Sequence, residues 1–134
     1  MYLRFVVSAQ DARTGYAQGL LTAAYALLRW DALADADAAA LREHLAWFET
    51  HVPLPTKFAR KRNVSHRNTH GLSWVRSDAR AVVTRLHALA RFVERYGHVV
   101  DVMRSARPGY VVYEDDLQVV AEPFNGEARR GRKS

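Results

Sequence analysis

The sequence predicts an α+β domain: three helices packed on one face of a small, mainly antiparallel sheet, in the order β-α-α-α-β-β-β. Three observations carry that expectation. Apolar residues recur at helical spacing in three stretches between Tyr16 and Tyr96. After Gly97 the period changes from helical to alternating. Turn formers, Pro108-Gly109 and Asp115-Asp116, then divide the alternating part into short strands.

Each element has its own reason. Leu3 to Ser8 is short and rich in Phe and Val, which suits a strand. A turn over Gln10 to Gly15 follows, with Asp11 or Thr14 able to cap a helix from Tyr16 to Trp30. Tyr16, Leu20, Ala23, Leu27 and Trp30 share one face of that helix, and Gly19 costs it about 1 kcal/mol relative to Ala. Asp35 or Asp37 can cap a second helix, whose stripe is Ala38, Leu41, Leu45, Phe48 and Val52. Pro53-Leu54-Pro55 ends it in an extended exit. Residues 56 to 76 have no clear period and read as a loop. Ser77 or Asp78 caps a third helix carrying Val82, Leu86, Leu89, Val93 and Tyr96, with Gly97 as its stop. Val99–Arg104, Tyr110–Glu114 and Leu117–Glu122 are the later strands, and short turns predict that neighbours pair antiparallel. Residues 1–124 form the expected domain, and 125–134 a mobile basic tail without large apolar residues.

Composition narrows the chemistry. The chain has 134 residues, 49% hydrophobic and 25% charged, and no cysteine. One ordinary core is expected, without disulfides, cysteine-ligated zinc or thiol catalysis. Met1–Val7 is apolar for too few residues to form a signal-peptide core, and no window resembles a membrane span, so a cytoplasmic protein is expected. There is no P-loop, no Gly-x-Gly-x-x-Gly and no Gly-x-Ser-x-Gly elbow.

Three blocks resemble a group of small bacterial proteins to which no activity is assigned. They are Pro53-Leu54-Pro55-Thr56-Lys57 before basic residues, Leu72-Ser73-Trp74, and Arg107 to Asp115 followed by Gln118 to Phe124. The resemblance implies a whole domain up to Phe124 and brings no catalytic residues with it.

Charge is the strongest functional signal. Lys and Arg number 20 and Asp and Glu 14, a net charge of +6. Between Thr50 and Ser77 there is no acid, yet Lys57, Arg60, Lys61, Arg62, Arg67 and Arg76 lie there. Like charges in a short segment repel unless an anion is near. Phosphate fits, because each one neutralised releases counterions. Phe58 and Trp74 flank the block and offer rings for base stacking. The expected function is therefore a small binding module engaging nucleic acid or another polyanion through a basic loop at about 53–76. The plainer alternative is a solvated loop that pairs with acidic faces of its own helices, with Phe58 and Trp74 as core anchors.

Two further functions compete. His66 and His70, beside cationic residues, suit acid–base work in a metal-independent nuclease or phosphotransfer enzyme. They lack a third ligand, and no metal or cofactor is expected. A protein adaptor or self-assembling subunit would use the sheet or the aromatic edge near Trp30 and Trp47. His44, His51, His87 and His98 read as surface or boundary residues. The acids Glu114, Asp115, Asp116 and Glu122 read as a solvated hairpin turn or an internal partner for the basic loop, and Tyr110 and Tyr113 as cover for the sheet.

Overall fold

The structure, a computed structural model, describes residues 1–10, 15–53 and 71–124. Its elements are β1 (Tyr2–Gln10), β2 (Ala17–Gly19), α1 (Leu20–Trp30), α2 (Asp35–His51), β3 (Leu72–Arg76), α3 (Arg80–Glu94), β4 (Val100–Ser105), β5 (Tyr110–Glu114) and β6 (Gln118–Glu122). The fold is α+β, with three helices against an antiparallel sheet of six strands. Among the described residues no helix is long and apolar enough to cross a membrane.

Strand alternation decides where the main core sits. Leu3 and Phe5 of β1, Val75 of β3, and Val100 and Val102 of β4 point to the helices. They meet Leu20 and Leu27 of α1, Leu41, Leu45 and Phe48 of α2, and Val82, Leu86, Leu89 and Val93 of α3. These helical residues recur at the expected three- and four-residue spacing, so burying one face of each helix builds the core. Burial of each such Leu, Val or Phe stabilises the fold by roughly 1.5–3 kcal/mol before chain entropy is counted.

Polar links then fix helix against helix. Tyr25 on α1 donates its hydroxyl to Glu49 on α2. Burial, then that hydrogen bond to the carboxylate, push the Tyr25 phenol up to about 12. Asp37, in the first turn of α2, accepts from the Tyr96 hydroxyl and from Arg95 at 3.2 Å, just past α3. The Tyr96 bond, helped by Arg95 and outweighing the cost of desolvation, holds the Asp37 carboxyl below the usual carboxylate range.

The sheet is curled. β4 covers one edge of β1, while β3 and then β2 share the other edge. Beyond β3 come β6 and β5. Laid flat, β4 and β5 would stand about 19 Å apart across four strand spacings. The five Cα steps from Ser105 to Tyr110 reach at most about 18 Å, and the two ends are also offset along the strands. Only a bent sheet lets that link close. The concave side, away from the helices, buries Tyr16, Leu72, Trp74 and Val119, with Tyr2 and Met103 packed against them.

Several sequence expectations need correction. Residues 16–19 are not helical: Tyr16 is buried among strands, and α1 begins after Gly19. Trp30 is 76% exposed and does not continue the buried stripe. Leu72–Arg76 is a strand paired on both sides, inside a stretch read as loop. β4 and β5 do not pair with each other, because their connection spans the curl instead of forming a hairpin. Among the described residues no side chain caps α1, α2 or α3: Asp35 and Asp37 sit inside the first turn of α2, and Asp78 binds Arg76. The cap candidates Asp11 and Thr14, and the tail 125–134, lie outside the described residues.

Candidate functional site

Lys57, Arg60, Lys61, Arg62, Arg67, Phe58, His66 and His70 lie outside the described residues. The two ends of their segment are described. Gln118, buried on β6, donates from Nε2 to the Pro53 carbonyl at 2.7 Å. At the other end, Gly71 leads directly into Leu72, which pairs with Ala121 of β6. One strand therefore anchors both ends of the basic segment.

Trp74 and Arg76 are internal in use. Strand alternation turns Trp74 to the concave side, where it is 5% exposed and packs in the strand-built cluster. A ring buried there is a core anchor and offers no face for stacking on a base. Among the described residues its indole Nε1–H has no hydrogen-bond partner, a cost of about 1–3 kcal/mol that the burial of the ring must offset. Arg76 places Nε and Nη2 each 3.2 Å from the two carboxylate oxygens of Asp78. That bond, stronger than the desolvation opposing it, keeps Asp78 ionised below its ordinary range. Three of the remaining histidines make ring contacts at the boundary of the core. His51 stacks on Trp47 at 4.4 Å, His87 meets the Phe5 ring edge-on at 4.9 Å, and the half-buried His44 lies edge-on to Phe92 at 6.1 Å.

The acidic turn is structural at its centre. Asp115 accepts backbone N–H bonds from Leu117 at 2.8 Å and Gln118 at 3.1 Å. It also accepts from the Tyr113 hydroxyl at 2.6 Å and Gln118 Nε2 at 3.1 Å. Partial burial pushes its carboxyl up, and these bonds together outweigh that and leave it below the usual range. The turn therefore orients the side chain that holds Pro53. Among the described residues no group of three His, Asp or Glu side chains could hold a metal ion.

One aromatic cluster departs from the sequence reading. Tyr110 does not cover the sheet: it opens edge strand β5 and is 62% exposed. Its ring meets Phe124 edge-on at 4.7 Å, and the Arg107 guanidinium lies 5.5 Å from the Phe124 ring centre. The signal lay in the chain: Pro108-Gly109 starts a strand, and Pro123 brings Phe124 back beside it. Gly109 adopts φ +151°, and a Cβ there would overlap the Glu122 carbonyl. Glycine thus allows the close approach that sets Tyr110 beside Phe124.

A cavity of about 250 Å³ opens where β1 leaves β3 to pair with β2. Leu20, Phe48, Val82 and Leu86 make it largely apolar, and Arg4 is the one charged residue among its described lining. Arg4 donates from Nη2 to the Ala17 carbonyl at 2.9 Å, so it also joins β1 to β2. That lining holds no carboxylate or imidazole for acid–base chemistry. No protein family, curated protein or solved structure matches the chain.

Proposed function

We propose that the chain is a small binding module that engages a phosphate-bearing polyanion, nucleic acid foremost, through its basic segment. Lys57, Arg60, Lys61, Arg62 and Arg67 supply the contacts. The distribution of charge carries this reading. The described residues hold ten arginines against twelve carboxylates, so the body is slightly acidic. Segment 54–70 holds five bases and no acid, and residues 125–134 hold four bases and one acid. The positive excess therefore lies entirely in two stretches joined to an acidic body.

Trp74 drops out of the contact set, since the concave core encloses it, while Arg76 already holds Asp78 in an exposed ion pair that a phosphate would have to displace or share. Asp115 is likewise engaged by its own turn, which weakens the case for it as an internal counter-charge. An external polyanion relieves the repulsion within the segment and gains from counterion release. With about five phosphates engaged, log affinity plotted against log salt should slope near −3.5 to −4.5. Arg60→Ala with Arg62→Ala should flatten that slope by almost two units. A flat response in the parent chain, or no change in the double variant, defeats the reading. RNA integrity in the same mixtures with EDTA separates a binder from a metal-independent nuclease.

A further inference from the structure

We infer that the exposed Tyr110–Phe124–Arg107 cluster is a base-stacking platform, and that the polyanion is single-stranded nucleic acid. This rests on the polyanion reading above and narrows it to a class of strand.

The first support is accessibility. Trp74 is enclosed by the sheet. The Trp47 ring already carries His51 stacked at 4.4 Å and the Arg85 guanidinium at 4.9 Å. Tyr110 meets Phe124 only through an edge-to-face contact, at an interplanar angle of 83°. Such a contact leaves ring area open, as its 62% exposure records. An exposed tyrosine braced by a second ring offers a flat apolar surface of fixed orientation.

The second support is placement. Leu72, two residues past the end of the basic segment, pairs with Ala121 on β6. Tyr110 pairs with the next residue, Glu122. Phe124 directly precedes the basic tail. The exit of the basic segment and the start of the basic tail thus both meet the body at the Ala121–Glu122 end of β6, beside the exposed ring, while the entry of the segment is held at Gln118, the other end of that strand. A strand held at the Ala121–Glu122 end brings its bases within reach of Tyr110.

The third support is charge at the platform itself. Arg107 is exposed beside Phe124 and adds a cation, whereas Glu122 is the cross-strand neighbour of Tyr110. The ring itself is neutral, so the face of a base is its partner, while Arg107 supplies a cation for the strand's phosphates. Bases present that face only when unpaired, which selects single strands over duplex.

The test uses the full chain with fluorescein-labelled oligo(dT), oligo(rU) and a mixed-sequence duplex, each about 20 nucleotides long, beyond a single small-domain footprint. Fluorescence anisotropy is read at several salt concentrations. The single strands should bind at least about fivefold more tightly than the duplex, the lower bound for one base stack. Tyr110→Ala should remove that preference while leaving the salt slope and duplex affinity unchanged. Tyr110→Phe should keep it. Equal binding of single strand and duplex, or an unaltered preference in Tyr110→Ala, overturns the platform and leaves the polyanion reading intact. Salt-insensitive binding, or no binding to any of the three, overturns the polyanion reading and the platform with it.

Discussion

Strands β3 and β5 both carry an aromatic residue beside a cationic stretch, and they use it in opposite ways. β3 lies between β1 and β6: it pairs with β6 over Leu72–Val75 and with β1 at Val75 and Arg76, and its Leu72, Trp74 and Val75 are buried. Its Trp74 is enclosed and its Arg76 is tied to Asp78. Among the described residues β5 pairs only with β6 and stands at the edge, where Tyr110 and Val111 remain 62% and 45% exposed. In the sequence Trp74 stands far closer to the basic block than Tyr110 does, yet position in the sheet decides which of the two rings is available. Nearness to charge along the chain is a poor guide to exposure, and strand parity and edge position are better ones.

The contrast can be broken most directly at Trp74. Trp74→Ala should cost about 3–5 kcal/mol in urea unfolding, since it empties the concave cluster. A loss under about 1 kcal/mol would mean that β3 is not the enclosed strand described here. Gly109→Ala should follow, at about 3 kcal/mol, because a Cβ collides with backbone at the Glu122 carbonyl. That substitution also separates Tyr110 from Phe124, so the aromatic ring-current shifts between them should disappear from the proton spectrum.

Asp115→Ala should cost about 1–2 kcal/mol at neutral pH through loss of its hydrogen bonds. The folded-state pKa of Asp115 lies below its unfolded value, so its contribution is present above about pH 4 and falls away as the folded carboxyl protonates. The stability gap between parent and variant should narrow as pH is lowered through that range. A gap that widens on acidification would contradict the turn geometry. Tyr110→Ala should alter stability by less than about 0.5 kcal/mol, the smallest effect of the set. A large loss there would sharpen the comparison against us, by making the edge ring a structural one.

Much of the helical half was legible in the sequence, because burial repeats along a helix at a fixed period. Leu41, Leu45 and Phe48, and Val82, Leu86, Leu89 and Val93, are buried as their spacing requires. Trp30 fits the same period but falls at the last residue of α1, beyond the layer that α2 and the sheet cover. Ala17-Gln18-Gly19 has no β-branched or large apolar residue to mark it as a strand. Leu72-Ser73-Trp74 does alternate, but three residues beside a charge run make a weak signal. The β4–β5 connection misleads for a different reason: its length suits a hairpin, and only the order of the other strands shows that it spans the sheet's curvature. Of the candidate contact residues, the sequence located the charge, while the availability of Tyr110 followed from edge position and from Phe124 beyond Pro123.

The bend that lets residues 105–110 close also governs how the molecule meets copies of itself. The outer strand reads Tyr-Val-Val-Tyr, a composition prone to adding further strands into fibres. A fibre grows on a straight, flat template. Here the rim is arched, and the pairing of β5 with β6 slips between Val111 and Tyr113, which kinks it further. The chain thus carries a sticky sequence on a contour that discourages stacking.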